Sequence, residues 1–245
     1  MDYLEAQIRR RKVDVQLNYR QTAVGLLDLE ADLVIVATGA IPPMPNFPEA
    51  TVPVLRPWDV LRNVTTCGNG DVLVVDDGTG FWPAVCAADA LAERGCRVTL
   101  TTPAAAVGAN IPVESATHLH RRLRTRDVTF RPFTTMATIA GRVAVLQDVT
   151  SGHTEQHEVD FVVVQTSSQP VRDLVSDQTR GLRIEMVGDC WAPRRLSNAI
   201  FDANRLMRNL QTAAFGVALD CLACPASEGI PPTTSVSTVS ERRAQ

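Results

Sequence analysis

Apolar and polar positions alternate along this chain in a way that separates strands from helices. Leu33–Val36 is a continuous apolar run of the kind buried on both faces of a parallel sheet. Val72–Val75 and Arg97–Thr101 predict two more strands, joined by a helix over Pro83–Arg94 with Pro83 in its first turn and Gly95 as C-cap. That is a βαβ unit. A second helix is expected over Glu114–Arg126, where Leu119 and Leu123 lie four apart. Short strands then follow at Val128–Arg131, Thr134–Ile139, Val143–Asp148, Glu155–Val159 and Phe161–Gln165. Turns at Ala140-Gly141 and Ser151-Gly152 separate some of them, which predicts an antiparallel meander appended to a parallel sheet. A strand at Arg183–Val187 and a helix at Leu196–Leu210 close the pattern. The helix carries Leu196, Ala199, Ile200, Ala203, Leu206, Met207 and Leu210 on one stripe.

The N-terminal part is less regular. Residues 3–12 read as a helix, Val13–Leu17 as a short strand, and 23–30 as a hairpin or crossover arm. Ile41–Pro48 is too rich in proline for regular structure, and Trp58–Leu61 predicts a short helix. After Thr212 the pattern fades, and residues 225–245 have the Pro/Ser/Thr-rich composition of a disordered tail.

Composition narrows the class without naming it. The 245 residues are enough for one large or two small domains, and a net charge of −3 gives no reason to expect nucleic acid or an anionic membrane. No apolar run reaches membrane-spanning length, and the N-terminus has no apolar signal core, so a cytoplasmic location is the default expectation. The six cysteines then read as free thiols. Cys221 and Cys224 have C-x-x-C spacing but no second pair and no nearby histidine, and no metal site is expected. His118, His120, His153 and His157 read as solvated surface residues, and no catalytic constellation stands out.

Three turns carry candidate chemistry. Ala37-Thr38-Gly39 ends the first apolar strand. Gly188-Asp189 ends the strand before the last helix, where a carboxylate can accept hydroxyl hydrogen bonds beside a helix N-terminus. Asp76-Asp77-Gly78-Thr79-Gly80-Phe81-Trp82-Pro83 stands where a dinucleotide fingerprint belongs, after a strand and before a helix. Gly78 and Gly80 keep a G-x-G. Two aspartates open the turn, proline replaces the third glycine, and Thr99-Leu-Thr-Thr102 supplies no carboxylate for a ribose diol. Such a turn repels a pyrophosphate, so NAD(P)H is not expected to bind. A Rossmann-like shape without its ligand and a retained adenine-nucleotide site both remain open.

Taken together, Ala31–Ala40, Ala88–Thr101 and Val187–Leu210 resemble the C-terminal FAD/NAD-type region of the trimethylamine dehydrogenase / 2,4-dienoyl-CoA reductase family, the iron–sulfur flavoproteins related to old yellow enzyme. The resemblance implies an α/β fold: a Rossmann-like NAD-type domain over residues 67–170, inserted in a partial FAD-type domain of residues 1–66 and 171–215. Residues 216–245 would be a flexible tail. It implies a cofactor-binding set of Ala37, Thr38, Gly39, Gly188 and Asp189 on the flavin side, and Gly78 and Gly80 on the nucleotide side. The expected cofactor is FAD or an adenine nucleotide at an incomplete site. In that family a barrel carries FMN and the substrate site, a four-cysteine cluster follows, and the FAD-type domain opens with a glycine-rich turn. Residues 1–31 hold one glycine, Gly25, and no such turn.

The expected function is therefore an accessory nucleotide- or flavin-type subunit, or split part, of a flavin oxidoreductase. A barrel-type FMN/iron–sulfur chain would be the partner and would cover the edge of the Leu33–Val36 strand. A self-sufficient FAD/NAD(P)H reductase and a non-catalytic scaffold are the alternatives.

Overall fold

A computed structural model describes residues 2–62 and 70–214 of the chain, with side chains described to residue 211. The N-terminal part contains helices α1 (Asp2–Arg10) and α2 (Ala23–Leu27), strands β1 (Val34–Val36), β2 (Ala40–Ile41) and β3 (Val54–Leu55), and helix α3 (Pro57–Arg62). The central part runs β4 (Asp71–Val75), α4 (Trp82–Glu93), β5 (Arg97–Thr101), α5 (Val113–Thr125), β6 (Thr129–Arg131), β7 (Thr134–Ala140), β8 (Val143–Asp148), β9 (Thr154–Glu158) and β10 (Phe161–Val164). Strands β11 (Gln169–Pro170) and β12 (Ile184–Met186) and helix α6 (Leu196–Ala214) complete the described chain.

The main sheet has five parallel strands in the order β3-β10-β4-β5-β6. Its central strands β4 and β10 are apolar on both faces because both faces are covered. Val72 and Val74 of β4 pack toward α4 and α5, in a cluster with Ala84, Ala88, Leu91, Leu100 and Leu123. Leu73 and Val75, on the alternate face, pack toward the antiparallel meander β7-β8-β9, against Ile139, Ala144 and Leu146. Small side chains at Ala84, Ala87 and Ala88, all fully buried, let α4 lie close to the sheet. The helix stops at Gly95, whose φ of +86° suits glycine. There the Cys96 N–H reaches the Leu91 carbonyl at 3.2 Å and closes the last turn.

The flanking segments are built differently. β1 pairs in parallel with β12, and β2 pairs antiparallel with β11. Neither pair extends into a larger sheet. Among the described residues outside 70–170 the buried apolar ones are few: Leu26, Val36, Val60, Val187 and Cys190. The exposed large apolar residues concentrate here instead. Apart from Val113, Phe133 and Val149, every one lies outside residues 70–170, including Tyr3, Leu4, Ile35, Trp191, Ile200 and Phe201. The Val34 N–H bonds the Arg183 carbonyl and the Val36 carbonyl accepts from Val187 N–H, both toward β12. Alternation then turns the Ile35 N–H and C=O away from that partner.

Two local expectations are corrected. Val13–Leu17 forms no strand: Val13, Val15 and Leu17 are exposed and have no pairing partner among the described residues. Residues 23–27 are helical rather than a hairpin arm, because the Thr22 hydroxyl accepts the Gly25 N–H at 3.1 Å and caps a turn whose Leu26 is buried. The expected tail and its Cys221 and Cys224 lie outside the described residues, as does Cys67. No described helix is long and apolar enough to cross a membrane.

Candidate functional site

The parallel pairing of β1 and β12 brings two of the predicted turns to one end of the same small sheet. Ala37-Thr38-Gly39 leaves β1 and Gly188-Asp189 leaves β12. Gly39 has φ +77° and faces open space, whereas Gly188 has φ +67° and lies against α6: a Cβ there would meet the Ala199 Cβ at 3.2 Å. The Thr38 hydroxyl donates to the Val171 carbonyl at 2.5 Å, and the Val171 N–H returns a bond to the Gly39 carbonyl. Next in sequence, the Arg172 guanidinium donates to the carbonyls of Cys190 at 2.8 Å and Trp191 at 2.6 Å. One returning segment thus ties both turns together. The buried Cys190 thiol adds a bond to the Val36 carbonyl at 3.0 Å.

Asp189 is half-buried. Its Oδ1 accepts the Arg194 N–H at 3.1 Å, and its second oxygen accepts no hydrogen bond from the described residues. Arg194 is itself ion-paired to the buried Asp202 of α6. Arg195 has no carboxylate partner among the described residues. Its guanidinium stacks on the Phe81 ring, 4.5 Å from the centroid, and so reaches from the start of α6 to the start of α4.

The fingerprint turn after β4 is occupied by the protein's own polar groups. Asp76 is buried, with Oδ2 accepting from the Thr102 hydroxyl at 2.7 Å and from the Gly80 N–H at 3.3 Å, while Oδ1 has no partner. Burial pushes its carboxyl above the ordinary range; the Thr102 bond opposes that shift, and neighbouring Asp77 reinforces it. Asp77 accepts from the Thr79 N–H at 3.0 Å and from Gln165 Nε2 at 2.7 Å. Gln165 Oε1 in turn accepts the Ala84 N–H in the first turn of α4 at 2.9 Å. Gly78 (φ +88°) and Gly80 (φ +58°) both adopt the left-handed conformation the turn requires.

Between these two regions lies a cleft of about 780 Å³. The main sheet contributes Asp77, Thr79, Gln165 and Ser167 to its walls, α3 contributes Trp58, and the α6 side contributes Asp189 and Arg195. Of the seven predicted site residues, Asp189 alone lines this cleft. Ala37, Thr38 and Gly39 do not, and Gly78, Gly80 and Gly188 shape its turns without facing it. Gln165 and Arg172 are the participants that sequence reasoning missed, whereas Arg195 is legible with Arg194 as positive charge just after the Gly188-Asp189 turn. The available signal for Gln165 was a polar residue closing an otherwise apolar strand. His120 also departs from expectation: it is half-buried, with Nε2 2.9 Å from the Val107 carbonyl and its ring edge-on to Phe130. Cys86, Cys96 and Cys190 are distributed through the fold, and among the described residues no group of three His, Cys, Asp or Glu is placed to hold a metal.

A parallel sheet with a meander crossover, joined to a second small parallel pair with a cleft between them, defines an FAD/NAD-type oxidoreductase domain. The chain belongs to the pyridine nucleotide-disulphide oxidoreductase family, whose profile matches residues 3–189. Its sequence is 28% identical to the N,N-dimethylglycine/sarcosine dehydrogenase of Chromohalobacter salexigens, over 84% of this chain and 36% of that protein. Histamine dehydrogenase from Rhizobium sp. 4-9 superposes with a TM-score of 0.75 at 24% identity, over 89% of this chain and 37% of that one. The 6-hydroxypseudooxynicotine amine oxidase of Pseudomonas geniculata N1 gives 0.69 at 25% identity, over 83% and 33%. The chain thus spans about a third of the length of the relatives it matches.

Proposed function

We propose that these residues form the nucleotide- and flavin-type part of an old-yellow-enzyme-like flavin oxidoreductase of the trimethylamine dehydrogenase / 2,4-dienoyl-CoA reductase kind. Chemistry would reside on a barrel-type FMN/iron–sulfur partner, with this chain supporting electron transfer or assembly. Residues 1–66 and 171–215 act as the partial FAD-type domain and residues 67–170 as the NAD-type domain. The carrying observation is the division of apolar surface: the central sheet has two buried clusters, whereas the flanking segments leave their large apolar side chains exposed and the Ile35 backbone facing outward. Ile35 is 43% exposed, so its outward N–H and C=O reach water and are open to pairing with another strand. A strand from the partner, laid against β1, would pair these groups and cover the exposed apolar side chains of the flank.

The residues present fit a hydroxyl-bearing cofactor on the α6 side better than on the α4 side. Asp189 has a free oxygen at the cleft wall, and Arg195 brings positive charge beside it. FAD held there would supply an electron-transfer centre; Asp189 would accept hydrogen bonds from its hydroxyls, while Arg172 and Thr38 hold the two turns in register. A non-catalytic scaffold is the second reading, favoured by the polar groups that fill the α4 turn.

Co-expression with a barrel-bearing flavoprotein chain tests the proposal. Size-exclusion chromatography with light scattering should show a complex, and flavin released by denaturation should contain FAD as well as the barrel's FMN. A stable monomer that never associates refutes the partner. A complex free of FAD leaves the scaffold reading.

A further inference from the structure

β10 is apolar through Val164, and the chain then places Gln165 beside the first turn of α4. This position lies at a special point in the sheet. From β4 the strand order runs to β5 and β6 on one side and to β10 on the other. The crevice at the carboxyl ends of the strands, where the order reverses, is where open α/β sheets take their ligands. A dinucleotide's pyrophosphate sits there by accepting hydrogen bonds from the free N–H groups of the following helix.

In this chain two of those donors are lost. The second helical position is Pro83, which has no N–H. The third is Ala84, whose N–H donates to Gln165 Oε1 at 2.9 Å. The other end of the carboxamide donates to Asp77 Oδ1 at 2.7 Å and to the Thr79 hydroxyl at 2.9 Å. Asp77 Oδ1 also takes the Thr79 N–H, and its Oδ2 accepts the Ser167 hydroxyl at 3.3 Å. The carboxamide oxygen therefore does what a phosphate oxygen does at a helix start, and the amide nitrogen holds a carboxylate against the same spot.

We propose that Gln165 is the specificity-determining residue of this cleft: its side chain is a built-in substitute for the pyrophosphate and closes the turn to dinucleotides. The inference rests on the oxidoreductase reading only in treating this turn as the dinucleotide turn. It adds that reducing equivalents do not enter this domain from NAD(P)H. The substitution also has a structural return, since β10, β4 and α4 are braced by one side chain where a ligand site would leave them to be joined by a ligand. The Gln165 and Asp77 side chains form one wall of the cleft, and Phe81, Arg195 and Asp189 lie along another.

The test uses the full chain with NADH and inorganic pyrophosphate as calorimetric probes. Wild type should bind neither at millimolar concentration. The double variant Gln165→Ala/Asp77→Ser frees the Ala84 N–H and removes the carboxylate. It should bind both at least tenfold more tightly, a change of about 1.4 kcal/mol. NADH binding by wild type equal to that of the variant overturns the proposal, as does a folded variant with no gain. A wild-type measurement keeps the test independent of the variant's folding. Amide exchange at Ala84 should be slow and unaffected by pyrophosphate. Fast exchange, or exchange that slows when pyrophosphate is added, also overturns it. The FAD content of the complex is untouched by any of these outcomes, so failure here and failure of the flavin reading are separable.

Discussion

Gly39 and Gly188 end neighbouring strands of the same small sheet in the same backbone conformation, yet they should respond differently to one added methyl group. Both have φ near +70°, at +77° and +67°, so alanine at either position carries the left-handed penalty of roughly 1–2 kcal/mol. At Gly39 that is the whole cost, because a Cβ there meets nothing within 4 Å. At Gly188 the Cβ lies 3.2 Å from the Ala199 Cβ and 3.7 Å from its Cα. Helix α6 must then shift by a few tenths of an ångström, and overpacking of this kind adds roughly 1–3 kcal/mol. Gly39→Ala should therefore lose about 1–2 kcal/mol and Gly188→Ala about 2–5 kcal/mol. Urea unfolding followed by tryptophan fluorescence measures both, with Trp191 as a reporter three residues beyond Gly188. The shift of α6 should also draw the Arg194 N–H away from Asp189, so the Gly188 variant should lose more bound FAD in the assembled complex. Equal losses at the two glycines would refute the argument that close packing of α6 on this turn, rather than backbone conformation alone, sets the site.

Three further outcomes are expected. Asp189→Ala should lower FAD retention in the complex while costing only about 1 kcal/mol of stability, since the carboxylate makes one bond to the Arg194 N–H; unchanged flavin content counts against its role. Asp76→Asn should stabilise the protein increasingly as pH rises. Burial raises the Asp76 carboxyl above its unfolded value, so its contribution is full below pH ~3.9 and is lost as pH climbs through the folded value; a difference between variant and wild type that stays constant from acid to neutral pH contradicts this. Arg172→Ala should cost roughly 2 kcal/mol by releasing the carbonyls of Cys190 and Trp191, and Arg172→Lys should not restore it, because a point charge does not reproduce the guanidinium's two directed bonds. Chemical denaturation of the two variants decides it.

The parts of the fold that were legible in the sequence are those whose stability comes from long apolar runs. β4 and β10 are buried on both faces and read directly from their composition, β5 reads from its alternation of Val98 and Leu100 with polar residues, and α4 reads from its alanine face and Gly95 stop. β3 was not legible, because its two residues are a strand only by virtue of the pairing with β10. Val13–Leu17 shows the converse: it alternates like a strand, but alternation without a partner does not make one. The candidate site divides in the same way. The degenerate turn at Asp76-Asp77 and the Gly-Asp at 188–189 are local patterns and could be read. The bonds from Gln165 to Ala84 and from Arg172 to the 190–191 carbonyls join residues far apart in sequence, and no local pattern announces them.

The filled turn and the exposed flank bear on one another. A domain that binds a dinucleotide keeps its helix N-terminus free, and the ligand itself bridges sheet and helix. Here Gln165 does the bridging, and Asp76 is buried in a position that no pyrophosphate shares. The central unit is thereby complete without a ligand, and both faces of its sheet are covered by its own elements. The flanking unit is the reverse: two short strand pairs, few buried apolar residues, and outward-facing Ile35, Ile200 and Phe201. If the central unit took NADH, electrons would enter there and the flank would serve only to hold the flavin. Under the proposed function, with that entry closed, a cofactor held on the Asp189 side would exchange electrons with a group on the chain that covers the flank. The contact that buries the apolar surface would then also be the contact across which electrons pass. Substitutions such as Ile200→Asp or Phe201→Asp, made on the exposed face of α6, should weaken assembly and slow flavin reduction in the complex by the same factor. A variant that assembles normally but is reduced slowly, or the reverse, would separate the two roles and show that the covering surface is not the electron path.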